Sequence, residues 1–316
     1  MLKYITKRIL LTIPVVIGVV ILVFTILYFS PADAASVMLG GAGTAEQLEE
    51  LRESLGLNDS YFVQLGRYLY QIFIKFDLGN SLVNGTKIAD DIALRLPNSM
   101  IIALFGIICS MAVGIPLGIS CAVHQNKPSD VIGMVIALIG ISMPNFWFAL
   151  LCVIIFAFEL GWLPAYGVGS VKYWILPLIA NSFHGVAAQA RQTRSSMLDV
   201  INSDYIVMAR AKGVPEKKVI HRHALPNALI PVITVSGSAF GSMIGGGLII
   251  ETIFGIPGMG YYLVQGVNNR DTPVVIGGVV VLSVLFSIIM LLTDLAMAAV
   301  DPRIKAQFAS GGKRHG

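Results

Sequence analysis

Six stretches of the chain are apolar enough, for long enough, to cross about 30 Å of hydrocarbon. They lie at 9–29, 99–122, 131–158, 173–191, 228–250 and 274–299. The third is longer than a span requires, which predicts tilt or a kink at Pro144. The fourth is the most polar and is the one that hydropathy alone would miss. The pattern predicts an all-α, polytopic membrane protein with six transmembrane helices.

The only large polar insertion runs from about 30 to 98, and its pattern is helical. Thr44 with Gln47 forms a capping box ahead of Leu48, Leu51 and Leu55, and Gly56 can end that helix. A second helix is predicted from Tyr61 to Phe76, with Phe62, Leu65, Leu69, Ile72, Phe73 and Phe76 on one face. That face can lie on the membrane surface or pack on the spans, and packing is favoured. The chain thus divides into residues 1–98 (first span and insertion), 99–302 (the remaining spans, with a loop at 192–227) and a tail at 303–316.

Composition agrees. Hydrophobic residues make up 55% of the 316 and charged residues 13%, about half the charged share of a soluble domain; mean hydropathy is +0.77. The basic N-terminus followed by an apolar run is like a signal peptide. The run is too long for a signal-peptide core, and no A-x-A-like site follows, so it reads as a retained span. Cys109, Cys121 and Cys152 sit in or beside apolar runs, have no ligand spacing, and read as small buried hydrophobes.

The net charge of +4 could suggest nucleic acid, but its distribution reads as topology instead. Lys3, Lys7 and Arg8 precede the first span; His124 and Lys127 follow the second. Arg191, Arg194, Arg210, Lys212, Lys217, Lys218 and Arg222 follow the fourth; Arg303, Lys305, Lys313 and Arg314 follow the sixth. With six spans these segments share one side. The other two short loops hold one basic residue each, Lys172 and Arg270. Both termini are therefore expected in the cytoplasm, and no nucleic-acid partner is expected.

Polar side chains within spans are the default functional candidates, because they are costly to bury unpaired. Asn181, Ser182, His184 and Gln189 lie in the fourth span; Ser142 and Asn145 flank Pro144; Asp294 lies near the end of the sixth. Each can line a translocation path or make a helix–helix hydrogen bond. Gly237, Gly241 and Gly245 recur every four residues in the fifth span, a spacing that lets helices approach closely. They fit packing within the chain or an interface with a second membrane subunit.

The segment Asp204 to Pro226 parses as two short helices with a fixed bend. Asp204 can cap the first and Gly213 can end it. Pro215 suits the first turn of the second, with Glu216 near its positive dipole end. A bent helical pair on the cytoplasmic face has the shape of a docking element; the plainer reading is a basic loop that sets topology. No phosphate-binding G-x-x-x-x-G-K-[ST] loop, catalytic triad or metal-ligand cluster is present in the sequence, and His221 and His223 point to different helix faces.

This segment resembles the cytoplasmic loop of ABC importer permeases, in which a glycine is followed after nine residues by Ile-x-Leu-Pro. Here Gly213 and Leu225-Pro226 hold those places; Val207-Met208-Ala209 replaces the usual Glu-Ala-Ala, and His223 replaces the isoleucine. The wording Ala209-Arg210-Ala211-Lys212-Gly213 and His223-Ala224-Leu225-Pro226 is similar to the dipeptide/oligopeptide/nickel branch. So are Phe76-Asp77-Leu78-Gly79-Asn80-Ser81, Arg95-Leu96-Pro97-Asn98-Ser99, Glu251 to Gly260, Arg270-Asp271-Thr272-Pro273 and Asp301-Pro302-Arg303. Together they cover nearly the whole chain and match the first-permease type with its large outer insertion.

The resemblance implies a type I ABC importer permease fold in a bacterial or archaeal plasma membrane. Implied partners are a second homologous permease, two ATPase subunits that bind ATP and Mg, and an extracytoplasmic substrate-binding protein. The chain itself would bind no cofactor. The ATPase-coupling role falls on Tyr205, Ala209, Arg210, Ala211, Lys212, Gly213, Val214, Pro215, Glu216, Lys217, Ile220, Leu225 and Pro226. Di- or oligopeptide is the implied cargo, with nickel or a sugar-like solute as the alternative. From another class, an ATP-independent secondary transporter or channel would carry inverted repeats and paired midplane charges; neither is evident.

Overall fold

The computed structural model describes residues 2–30, 33–39 and 43–300; the tail and Asp301-Pro302-Arg303 lie outside the described residues. In chain order the helices are α1 (Leu2–Tyr28), α2 (Ala34–Met38), α3 (Ala45–Ser54), α4 (Tyr61–Phe73), α5 (Ile88–Val123), α6 (Pro128–Ser142) and α7 (Asn145–Cys152). There follow α8 (Lys172–Ile201), α9 (Asp204–Ala211), α10 (Glu216–Lys218), α11 (Leu225–Gly246), α12 (Leu248–Phe254), α13 (Met259–Asn268) and α14 (Thr272–Val300). Wide π-helical turns extend α7 over Val153–Glu159 and join α10 to α11 over Val219–Ala224. Among the described residues the only β pairing is one isolated bridge, Asn80 to Lys87.

Four helices are long and apolar enough to span a membrane, and a fifth is added if α6 and α7 count as one broken span. The remaining expected span, the fourth, lies in α8, which is 30 residues long, about 45 Å of helix. It falls short on composition because polar groups line its buried face. The 131–158 stretch is not one kinked rod: it turns by 103° between α6 and its continuation. Pro144 supplies no N–H, and Met143 ahead of it is extended at ψ 126°, as a residue before proline prefers. The fifth stretch also divides, since α11 ends at Gly246 and α12 begins at Leu248.

Helices α5, α8, α11 and α14 form the centre, with α6 and α7 against α8 and α1 against α14. The most extensive contact between described helices is that of α5 with α8, and it is tight. A Cβ on Gly114 would lie 2.6 Å from the Val186 carbonyl oxygen, and one on Gly118 would lie 2.5 Å from that of Ala190. Those neighbours are backbone and cannot yield, so the two helices touch main chain to main chain. Gly106, Ser110, Gly114 and Gly118 recur every four residues on α5, a stripe the sequence reading passed over in favour of the one on α11.

The insertion packs on the bundle. Thr44 and Gln47 form the reciprocal capping box, and Gly56 follows the helix end with φ +65°. Leu65 and Ile72 of α4 are buried with Val16, Val20 and Phe24 of α1 and Ile276 and Val280 of α14. Two members of the expected face do not join them: Phe62 is 81% and Phe76 88% exposed. Helix α4 stops at Phe73, and Phe76 has turned out of helical register at φ +52°.

Candidate functional site

The arm between α8 and α11 is the segment that sequence singles out, and its local chemistry explains its shape. Helix α8 continues unbroken past the fourth apolar stretch to Ile201, so the arm's root is helical rather than a loop. The cap of α9 is Ser203, with Asp204 one residue inside. Ser203 Oγ donates to the Val200 carbonyl at 2.6 Å instead of capping α9, and Asp204 acts only as an acid in the first turn.

At the other end of α9 the chain forms a complete Schellman closure. Gly213 N–H donates to the Arg210 carbonyl at 2.9 Å, and Val214 N–H to that of Ala209 at 3.3 Å. Gly213 carries φ +73°, which a side chain with a Cβ adopts only at a cost. Pro215 then sits at the cap of α10, one place before its first turn, and Glu216 opens that turn.

The underside of the arm is apolar. Ile206, Val219, Ile220 and Ala224 are buried with Met197 of α8, Ala122 of α5 and Ala228 of α11; Ala209, Val214 and Leu225 pack at the margin. The upper side faces outward: Tyr205, Val207, Met208, Ala211, Lys212 and Lys217 are exposed, as are Gly213, Pro215 and Pro226. Across the Gly213 turn, Arg210 makes a two-pronged bond to Glu216 at 3.1 and 2.7 Å. Hydrogen bonding from Glu216 raises the guanidinium above its already high value, so Arg210 stays charged. Asn227 Nδ2 donates to Tyr205 Oη at 3.0 Å, tying α9 to the start of α11.

The polar residues proposed from sequence for a translocation path fall into two groups. Ser142 and Asn145 are exposed at the α6–α7 bend. Asn181, Ser182 and Gln189 are buried between helices, and His184 is half-buried. Asn181 Nδ2 donates to the Ile102 carbonyl at 3.3 Å, Ser110 Oγ to the Ser182 carbonyl at 3.1 Å, and Gln189 Nε2 to Ser236 Oγ at 2.9 Å. These three groups bind α8 to α5 and α11. Gln189 Oε1 and Thr193 Oγ1 have no protein partner there. Of the fifth-span glycines, Gly237 faces the Thr293 side chain and Gly241 the Phe286 ring, both on α14 of the same chain. The surroundings of Gly245 lie outside the described residues.

Three buried acids received no role from the sequence, although Glu251 and Asp271 lie in segments that carry the resemblance. Glu251 is 1% exposed and accepts from Ser99 Oγ at 2.6 Å and from Tyr261 N–H at 3.0 Å. Ser99 Oγ in turn accepts from Met259 N–H at 2.7 Å, and Asn98 Nδ2 donates to the Pro257 carbonyl at 2.9 Å. The α12–α13 hairpin is thereby pinned to α5. Asp271 accepts from Ser81 Oγ at 2.5 Å and Leu82 N–H at 3.1 Å, fixing the insertion to the start of α14. Asp130 takes both prongs of Arg194 at 2.6 and 2.7 Å, fixing α6 to α8. The available signal was an acid inside or beside an apolar run, which is costly unless paired.

Comparison with known proteins places this geometry. The family described as binding-protein-dependent transport system inner membrane component matches residues 114–306, and its N-terminal counterpart matches residues 1–103. The chain is 40% identical to a dipeptide transport system permease protein, DppB, of Alkalihalophilus pseudofirmus, over 96% of this chain and 100% of that protein. It is 37% identical to a glutathione transport system permease protein, GsiC, of Salmonella paratyphi A, over 96% and 99%. A chain of the inward-facing MetNI methionine ABC transporter shares the fold at a TM-score of 0.59 and 16% identity, over 66% of this chain and 96% of that one.

Proposed function

The chain belongs to the family of binding-protein-dependent transport system inner membrane components, and from that premise we propose how it works and what it carries. It is a multi-pass inner-membrane permease subunit of an ABC importer, a membrane component rather than an ATPase. Its cargo is a short peptide. The observation that supports this is near-full-length similarity, at 37–40% identity, to permeases named for dipeptide, peptide and glutathione transport. Glutathione is itself a small peptide, so the relatives agree on class while differing on cargo.

In this reading the chain crosses the membrane six times, with both termini and the arm in the cytoplasm. Helix α8 serves as the fourth span, with its polar face covered by α5 and α11, and the broken α6–α7 pair serves as the third. A second permease of the same family completes the pathway, two ATPase subunits bind ATP and Mg, and an extracytoplasmic binding protein delivers cargo. The outward face of α9, with Tyr205, Val207 and Met208, seats in the ATPase; Lys212, Lys217 and Lys218 surround it with positive charge.

The chemistry of the arm suits that task. Its apolar underside joins it to α8 and α5, and those helices touch backbone to backbone, so displacement of the arm is passed on rather than absorbed. Closure of the ATPases on ATP would draw two such arms together and open the cavity outward; hydrolysis would reset it. The test is purification of the tagged chain from its own membranes in mild detergent, followed by identification of its companions and uptake of labelled dipeptide by the reconstituted assembly. Recovery of phosphate-loop ATPases with ATP-dependent peptide uptake supports the reading. Recovery of the chain alone, active without ATP, defeats it in favour of a secondary transporter or channel. Uptake of nickel or a sugar but not peptide by the intact assembly defeats the cargo assignment alone.

A further inference from the structure

Helices α1 and α14 run antiparallel. They are joined at one end by Arg270 donating to Ser30 Oγ at 2.5 Å, and at the other by Tyr4 and Arg8, which meet Asp294 Oδ2 at 2.6 and 3.2 Å. Between these ties they part. A lateral groove of about 660 Å³ opens there, walled by Ile13 and Ile17 of α1 and by Val284 and Ile288 of α14. Phe73, the last residue of α4, and Phe76 beyond it close the groove toward the insertion; Arg8 stands at the opposite mouth.

The groove is apolar in effect as well as in composition. Its two hydroxyls are spent on their own helices: Thr12 Oγ1 donates to the Arg8 carbonyl at 3.1 Å and Ser287 Oγ to that of Ser283 at 2.9 Å. It lies at the level of the apolar runs, so what fills it comes from within the bilayer. The charge at its mouth selects among bilayer components. Arg8 is 39% exposed, and its guanidinium has five N–H donors, more than one carboxylate oxygen can use. Lys7, also exposed, adds a second cation. A transmembrane helix of a neighbouring protein has no reason to bring an anion to that level, whereas a phospholipid does: its chain is apolar and its phosphate lies at the interface where basic side chains gather.

We infer that the α1–α14 groove holds one acyl chain of an anionic phospholipid, with the headgroup phosphate on Arg8 and Lys7. Phe76 then has a purpose that its 88% exposure otherwise lacks: it lies over the methyl end of the chain. The site rests on the membrane assignment and is independent of cargo and of the arm.

The test is native mass spectrometry of the assembled transporter, delipidated and then offered phosphatidylglycerol or phosphatidylcholine. Phosphatidylglycerol should be retained at one molecule more per copy of this chain than phosphatidylcholine. Ile13→Trp, which fills the groove, and Arg8→Gln, which removes the charge, should each lose that molecule. Leu22→Trp, on the exposed side of α1, and Asp294→Asn, which breaks the tie but leaves Arg8, should keep it. Equal retention of both lipids, or equal loss in Leu22→Trp and Ile13→Trp, would mean ordinary boundary lipid and overturn the inference. If Ile13→Trp instead releases the companion permease with no change in lipid, the groove is a protein contact and the inference fails. Peptide uptake measured on the same samples keeps this result separate from the proposed function.

Discussion

At one end of the bundle, the α9–α10 arm rests on an apolar floor and presents its charges to solvent. At the other, the α12–α13 hairpin is pinned by Glu251, a carboxylate that is 1% exposed and accepts from Ser99 and Tyr261. Both elements hang from the same pair of tightly packed helices, α5 and α8. The arm can exchange one polar partner for another at little cost, because water replaces whatever it loses. The hairpin cannot, because its polar groups have no water to fall back on. An exposed arm suits a surface that must engage and release a protein partner, and a locked hairpin suits a part that must move as one piece with α5.

The contrast is broken most severely at the hairpin. Glu251→Ala leaves Tyr261 N–H and Ser99 Oγ without their acceptor, at about 1–3 kcal/mol for each buried donor left unpaired. The expected result is a large drop in the melting temperature of the detergent-solubilised assembly. An unchanged melting temperature would mean that the hairpin is not held by this carboxylate. Next in size is Gly213→Pro, which imposes φ near −65° where the chain has +73° and removes the N–H that closes α9. Peptide uptake should fall to background while the amount of chain in the membrane stays normal. Normal uptake would rule out a docking role for the bend.

Smaller effects should follow on the arm's surface. Reversing Lys217 and Lys218 together to Glu should lower uptake several-fold without changing thermal stability, because both side chains are exposed; stability lost together with uptake would instead assign them to the fold. The smallest change is Glu216→Gln. The Arg210–Glu216 pair is solvent-exposed, and such pairs contribute about 0–1 kcal/mol. The melting temperature should move by no more than a degree or two, and less at high salt. A shift as large as that of Glu251→Ala would abolish the distinction between the two ends.

Much of the arm was legible in sequence. Gly213 is the only residue between Ala209 and Pro215 that takes positive φ readily, so it had to end α9, and Pro215 had to open what followed. The cap was misplaced by one residue because Ser203 and Asp204 are both good caps, and the choice depends on where Ser203 Oγ finds an acceptor. The α4 face was read correctly at Leu65, Leu69, Ile72 and Phe73. It failed at Phe62 and Phe76, because periodicity shows that a face is apolar and cannot say whether protein or lipid covers it.

The hydrophobic pattern alone determined that this chain is helical and membrane-embedded, since a continuous apolar run of about 20 residues enters hydrocarbon only with every backbone group paired within the segment, as in a helix. Local rules also determined the bend at Gly213 and the capped helix at Thr44, because φ preferences and caps act within a few residues. Tertiary structure decided that the kink expected at Pro144 is as large as 103°, that the polar face of α8 is spent on α5 and α11, and that the tight glycine stripe lies on α5. It also decided that Glu251 meets Ser99, 152 residues away in sequence. Each of these depends on which helix lies opposite, and in a bilayer, where every outward face is equally apolar, the pattern of one helix does not name its neighbour.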